Sequence, residues 1–380
     1  MNERAKSGMS KKKKRRNIIL IVAGVLVALF LCGKYNFQND KQTLLELKIK
    51  ASNGEVRYAL DKMEEVESFS NPLINRAYKR WRNKMTARFI TNEEVIENTS
   101  GNKIVNDVSN IYRDYWRVQL LKGNPENRTD STLYNNLVDY LLSNKLTILS
   151  KDSLSKTIKD DSELKRIIEG EGFKTKFMYR NGFQEVLIWD KESFEEYQVV
   201  LPKDTVNTTV VFIENYHLFG YDNYGTFGAA QIGGWALKES ATLYCNRCQY
   251  DLNSESFEIS YLKHESIHFV DLNEYPNLSS ADLEYRAKVI ELSYCTEKTI
   301  HDLVGKFLNG ANSSDRSHSH PYANYILISN LSRLLFDAEF ESDFSKWKEI
   351  PVEKINNAAE VLYKRSEGDL LKDKNVFEII

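Results

Sequence analysis

The sequence predicts an α+β fold in which a helical region comes first, strands follow, and helices close the chain. From residue 41 to about residue 168, mixed-charge segments carry Leu, Tyr and Trp at helical spacing. At Gly172 the pattern changes to short strand-like runs bounded by turn residues, and beyond residue 254 it becomes helical again. Strands followed by helices are typical of α+β domains, and 42% hydrophobic residues are enough for a large core.

The N-terminal segment predicts a membrane anchor. Residues 1–16 contain eight Lys or Arg and one Glu, and residues 17–33 are almost wholly apolar. The positive-inside preference keeps such a tail in the cytoplasm and exports the rest of the chain. No A-x-A-like cleavage site follows, and no small residue precedes Cys32 as lipoprotein processing requires. We therefore expect a single-pass transmembrane signal anchor over 17–33.

Residues 34–170 predict about four helices. Their charges are most simply a solvated face, and neither a basic stripe nor RNA-type aromatic motifs indicate nucleic-acid binding. The segments with the clearest helical spacing are Leu44 to Lys50, Asn75 to Phe89, Ile104 to Leu121 and Leu133 to Leu149.

The strands begin with a hairpin. Phe173 to Tyr179 and Phe183 to Trp189 flank Arg180-Asn181-Gly182, a strong turn signal. Tyr197 to Leu201 and Thr208 to Ile213 continue the strand-like pattern. A further apolar stretch, punctuated by Gly233 and Gly234, precedes the next helix.

That next helix carries the most informative motif of the chain. Ser254 is a plausible N-cap, and no Pro or Gly interrupts the run until Pro276. Within it lies His264-Glu265-Ser266-Ile267-His268. Positions i and i+4 share one face of a helix, so His264 and His268 can hold one metal ion while Glu265 leans toward a water molecule. The alternative is a helix with two ordinary hydrogen-bonded histidines.

A third ligand is expected, because catalytic zinc sites usually offer three protein groups and leave one position open. A second helix, with a cap signal at Ser279, carries Glu284, our choice for this ligand. Glu291 shares its face and is the reserve ligand. Glu274 would serve in a metzincin-like arrangement, but that class has a glycine where this chain has Asp271.

With Glu284-Tyr285-Arg286-Ala287 following the H-E-x-x-H motif, residues 233–295 resemble the gluzincin metallopeptidases. The resemblance implies a zincin-like catalytic domain over 171–380, a Zn²⁺ cofactor, Glu265 as general base and a peptide or protein substrate. Many gluzincins place an acidic residue four positions after the glutamate ligand, where it orients a histidine. This chain has Lys288 there, so the orienting group must come from elsewhere, and Asp271 is the candidate.

The resemblance also implies residues that bind substrate. In zincins the strand before the active helix pairs with an extended peptide, which here indicates Gly234, Trp235, Ala236 and Leu237. A His or Tyr from a later helix stabilises the oxyanion in some gluzincins, and His320 and Tyr322 are the candidates, ahead of His318. The alternatives are an ordinary core strand and a polar loop with incidental histidines.

The sequence as a whole predicts a membrane-anchored zinc metallohydrolase, most simply a peptidase, with its catalytic domain on the periplasmic or extracellular face. A non-catalytic envelope protein that binds a partner or the cell wall is the alternative from another class. A zinc hydrolase of non-peptide amides has the same ligands. Cys245 and Cys248 can form a local disulfide or remain free thiols, and we assign them no chemistry.

Overall fold

The computed structural model describes residues 37, 39–123, 125–180, 182–237, 240–296 and 299–380. The predicted tail 1–16 and anchor 17–33 lie outside these residues. The predicted fold class is corrected in one respect: it includes a transmembrane helix, and among the described residues no helix is both long and apolar enough to cross a membrane. Even the longest of the bounded helices, Val352–Leu370, carries seven charged residues in its 19 positions. The described architecture is α+β with a mixed sheet.

The chain forms two compact units. The first comprises the residues up to Asp190 together with Tyr216–Gln231, and the second comprises Lys191–Asn215 together with Ile232–Ile380. This division differs from the sequence-based boundary at residue 170, which rested on the change from helical to strand-like spacing. The first unit includes the hairpin beyond that change, because the hairpin packs with the helices that precede it.

The first unit is mainly helical. Its main helices are α1 (39–52), α2 (Val56–Glu65), α3 (Pro72–Met85, extended by a π-helical turn over Thr86–Ile90), α4 (Lys103–Leu120), α5 (Ser131–Ser143), α6 (Lys151–Thr157), α7 (Ser162–Gly170) and α8 (Tyr221–Gly225). Asn71 and Asn102 cap α3 and α4, since each side chain accepts hydrogen bonds from two backbone N–H groups. The aromatic core includes Trp116, which is fully buried and donates to the carbonyl of Gln184.

The predicted hairpin is confirmed. Strand β1 (Lys174–Arg180) pairs antiparallel with β2 (Phe183–Val200) from Lys174 opposite Trp189 to Arg180 opposite Phe183. Gly182 takes a positive φ of 78°, which suits glycine in a tight turn. Strand β2 joins two predicted strands into one of 18 residues, because the charged residues between them remain extended with exposed side chains.

The strands of the second unit form a mixed sheet. Strand β3 (Thr205–Phe219) pairs parallel with β5 (Thr242–Asn246), and β5 pairs antiparallel with β4 (Gly234–Leu237). The strand order is β1-β2-β3-β5-β4, so β4 is an edge strand.

Helices complete the second unit. They are α9 (Glu255–Phe257), a π-helical turn (Glu258–Lys263), α10 (His264–Glu274), α11 (Ser280–Tyr294), α12 (Ile300–Asn309), α13 (Ser319–Phe336), α14 (Phe344–Lys348) and α15 (Val352–Leu370). Ser254 caps the first of them as predicted, accepting a hydrogen bond from the N–H of Phe257. Helix α11 packs against α10, α13 and α15, so its central residues are buried on nearly every side.

Candidate metal centre

The two motif histidines lie at the start of an α-helix. The helical run from Ser254 passes through the π-helical turn Glu258–Lys263, and regular α-helix resumes at His264. The sequence predicted both histidines in the middle of an uninterrupted α-helix. The π-helical turn before His264 was not predicted, because the spacing of apolar residues does not reveal it. The rings of His264 and His268 lie 5.0 Å apart and nearly perpendicular, on one face of α10. Single π-helical turns of this kind are frequent at functional sites.

Glu284 on α11 faces both histidines. Nε2 of His264 lies 3.4 Å from Oε2 of Glu284, and Nε2 of His268 lies 3.6 Å from Oε1. One ligand atom from each residue lies within 4.8 Å of the others. Two ligands on a tetrahedral ion, at bond lengths of about 2.0–2.1 Å, stand about 3.3 Å apart. The spacing therefore fits a zinc-sized ion.

Two features of α11, the helix that carries Glu284, help to position it: its N-cap and a small buried residue. Ser279 accepts a hydrogen bond from the N–H of Asp282, which fixes the start of α11 at Ser280, four residues before Glu284. Ala287, one turn after Glu284, is fully buried. Its small side chain suits a position where α11 packs against its neighbouring helices.

Glu291 orients the first histidine. Its Oε1 accepts a hydrogen bond of 2.7 Å from Nδ1 of His264, and both side chains are buried. A carboxylate on Nδ1 fixes the ring and leaves Nε2 for a metal. The sequence predicted Asp271 for this role and Glu291 as a reserve ligand. Asp271 instead accepts two hydrogen bonds, of 2.7 and 2.8 Å, from the buried guanidinium of Arg286.

The charges of this cluster shift two pKa values in opposite directions. Burial lowers the pKa of His264, but Glu284 and Glu291 outweigh it and raise the value to about 10. Burial raises the pKa of Glu284, but His264, His268 and His320 bring it well below its usual range. A proton and a metal ion compete for Nε2 of His264, so metal binding releases a proton.

Glu265 lies half-buried beside the ligands. Its charge helps to raise the pKa of Tyr250 and Tyr261, after burial and the neighbouring Cys245. Both tyrosines lie against the start of β4. A Cβ atom added to Gly233 would lie 3.1 Å from the hydroxyl of Tyr250, and one added to Gly234 would lie 2.9 Å from the hydroxyl of Tyr261. The general-base candidate and the edge strand therefore share these tyrosines as neighbours.

The predicted substrate strand, Gly234 to Leu237, is the edge strand β4. Only glycine fits at residue 234, where a Cβ atom would lie 2.3 Å from the carbonyl oxygen of Tyr244. The indole of Trp235 stacks on Tyr244 with the ring centroids 4.9 Å apart. Among the described residues, no strand covers the other side of β4.

His320 reaches the site and Tyr322 contacts another group. Nδ1 of His320 lies 2.8 Å from Oε2 of Glu284, although its side chain is 65% exposed. The ring of Tyr322 lies under the guanidinium of Arg316, 5.3 Å from it. His318 is exposed and lies 3.5 Å from Asp315. Glu274, the ligand of the metzincin-like alternative, is exposed at the end of α10.

Sequence reasoning missed the contacts of Lys288. Its Nζ lies 3.4 Å from Oε2 of Glu284 and 3.4 Å from Nδ1 of His320. The spacing of four residues from Glu284 was the available signal, since i and i+4 share a helix face. Cys245 and Cys248 are both free thiols, so the predicted alternative of a local disulfide is not formed.

The donor set suits zinc. Two imidazole nitrogens and a carboxylate are ligands that Zn²⁺ prefers, and one position is left for water. Nδ1 of His268 is buried without a hydrogen-bond partner among the described residues. Its ring is therefore held by packing, whereas that of His264 is held by Glu291.

Comparisons with known proteins provide no family for this chain. No protein-family model matches it, and neither the curated proteins nor the solved structures give a significant match.

Proposed function

We propose that the protein is a zinc-dependent hydrolase, most simply a peptidase, with His264, His268 and Glu284 as the metal ligands. The observation that carries the proposal is the convergence of both Nε2 atoms on the Glu284 carboxylate, 3.4 and 3.6 Å away. A general-base candidate, Glu265, follows directly after the first of these ligands.

Each residue of the site has a separate role in the proposed reaction. When bound, zinc would polarise the scissile carbonyl and acidify a water molecule. Glu265 takes the proton of that water on its carboxylate and delivers it to the leaving amine. Glu291 holds the His264 ring by the hydrogen bond to Nδ1. His320, whose Nδ1 lies 2.8 Å from Oε2 of Glu284, is the candidate donor for the developing oxyanion.

A peptide is the favoured substrate because the site lies beside an edge strand. Strand β4 pairs with β5 on one side, and no strand in the described part of the chain pairs with its other side, where an extended peptide could add as a further strand. Tyr250 and Tyr261 connect the start of this strand with the surroundings of Glu265. The anchoring of the enzyme at a membrane stays a prediction from residues 1–33.

The test compares two variants of the site. Glu265→Gln should keep one zinc per chain and lose at least about 100-fold in kcat/KM on a peptide library, as general-base catalysis contributes about that factor. His264→Ala should lose the zinc as well as the activity. Metal content is measured by elemental analysis, and cleavage by mass spectrometry.

Glu274→Gln is the matched control, since it removes an exposed carboxylate from the same helix. It should retain both zinc and activity. Full activity in Glu265→Gln would exclude the assigned base, and unchanged zinc content in His264→Ala would exclude the site. Zinc bound without peptide cleavage, but with cleavage of simple amides or esters, would redirect the proposal to a non-peptide substrate.

A further inference from the structure

Lys288 is the residue at which the sequence departs from the gluzincin pattern, and the proposed reaction gives it no role. Its side chain is only 7% exposed and lies one helical turn after Glu284. The ammonium also lies 5.1 Å from the centre of the Phe307 ring. Burial of an unpaired ammonium is costly. The carboxylate that compensates it here is Glu284, a proposed metal ligand.

The two oxygens of Glu284 have different neighbours. Oε2 lies 2.8 Å from Nδ1 of His320 and 3.4 Å from Nζ of Lys288, while Oε1 lies 3.6 Å from Nε2 of His268. Nε2 of His264 is 3.4 Å from Oε2, so the space for an ion borders both oxygens. Oε2 is buried without a hydrogen-bond partner among the described residues, so Lys288 acts on it through its charge, and Oε1, which faces His268, is the oxygen left for a metal.

We propose that Lys288 is a positioning residue that holds Oε2 of Glu284, so that this carboxylate binds the metal through Oε1 alone. A carboxylate can bind a metal through one oxygen or both. A second oxygen of the same carboxylate would add a fifth ligand atom to the three protein ligands and the water. The ammonium also fixes the carboxylate before an ion binds, and such preorganisation improves affinity. This proposal rests on the proposed metal site and specifies how many oxygen atoms of Glu284 bind the metal.

The test uses cobalt(II) in place of zinc, because the intensity of its visible spectrum falls as the number of ligands increases from four to five. Lys288→Met is compared with the wild type and with Lys306→Met, which removes an exposed lysine from α12. We expect weaker visible absorption in Lys288→Met and binding of both cobalt and zinc about 10- to 100-fold weaker, measured by competition with a chelator. Lys306→Met should match the wild type in both.

Lys288→Arg retains the positive charge and should recover most of the spectrum and of the affinity. Lys288→Gln replaces Lys288→Met if circular dichroism shows that the methionine variant is unfolded. A wild-type spectrum and wild-type affinity in a folded, uncharged variant would overturn the proposal, as would an arginine variant that behaves like the methionine variant. Absence of cobalt binding by the wild type would instead overturn the proposed metal site.

Discussion

At the scale of single residues, the second carboxylate near the histidines decides how the site is built. Glu291 accepts the hydrogen bond of His264 Nδ1, whereas Asp271 is engaged by Arg286. The helical spacings of four and seven residues both place a side chain on the face of Glu284. Residue 288, four positions after Glu284, is a lysine. The orienting carboxylate of this chain therefore comes from Glu291, seven positions after Glu284.

Glu291→Gln tests this orienting role. The amide oxygen can still accept from Nδ1, but the negative charge that favours the metal-bound form of the ring is lost. We expect zinc affinity to fall about 10- to 100-fold while the fold is kept, as measured by chelator competition and circular dichroism. Glu349→Gln, an exposed carboxylate at the end of α14, is the control and should bind zinc like the wild type. Equal affinities for the two variants would contradict the role.

The grouping of the proposed ligands could be anticipated from the sequence because the spacing of the two histidines is a property of one helix. His264 and His268 face the same way in any α-helix, and Glu284 follows from the position of the next helix cap. The partner of His264 could not be predicted, because it depends on how α10 and α11 pack. Asp271 has suitable chemistry, but its side chain meets the guanidinium of Arg286 on α11.

At the scale of elements, strand β4 depends on a glycine. A Cβ atom at residue 234 would meet the carbonyl oxygen of Tyr244 at 2.3 Å and the ring of Tyr261 at 2.8 Å. The first of these is backbone and cannot rotate away. The short strand therefore keeps its register with β5 only if residue 234 has no side chain.

Gly234→Ala is expected to destabilise the protein by about 1–3 kcal/mol, the usual cost of overpacking. Denaturant unfolding measures the loss. Gly368→Ala is the matched control, because nothing lies within 4 Å of the added Cβ atom and the residue lies inside α15. It should stabilise by about 0.5–1 kcal/mol, since alanine favours a helix over glycine. Equal stability of the two variants would show that β4 tolerates a side chain.

The predicted elements agree best where a local signal marks them. The hairpin between β1 and β2 and the cap at Ser254 could be predicted, because each depends on a few residues that are adjacent in the sequence. The sequence did not predict the full length of β2, since the charged residues in its middle have a composition typical of loops. The π-helical turn was also missed, because it changes hydrogen bonds without changing the residues that form a helix.

At the scale of the whole molecule, the chain has two compact units, and the proposed ligands all belong to the second. Each unit has its own hydrophobic core. An ion bound by folded ligands stabilises the part that holds them, by mass action. The effect of zinc should therefore be confined to one unit.

Zinc at about 100 times its dissociation constant should add about 2.7 kcal/mol to the stability of the second unit. Hydrogen exchange followed by mass spectrometry should show added protection in α10 and α11, and unchanged exchange in α4 of the first unit. His264→Ala is the control and should show no zinc effect in either unit. Equal protection of α4 and α10 by zinc would contradict a site confined to the second unit.

The π-helical turn before His264 sets the rotation of everything that follows it in α10. Each residue of an α-helix turns the chain by about 100°, so one residue more or less in this turn would rotate the histidine face by that angle. The face that now meets Glu284 and Glu291 would then point toward another part of the second unit. The length of Glu258–Lys263 is thus as much a determinant of the proposed metal centre as the identity of its proposed ligands.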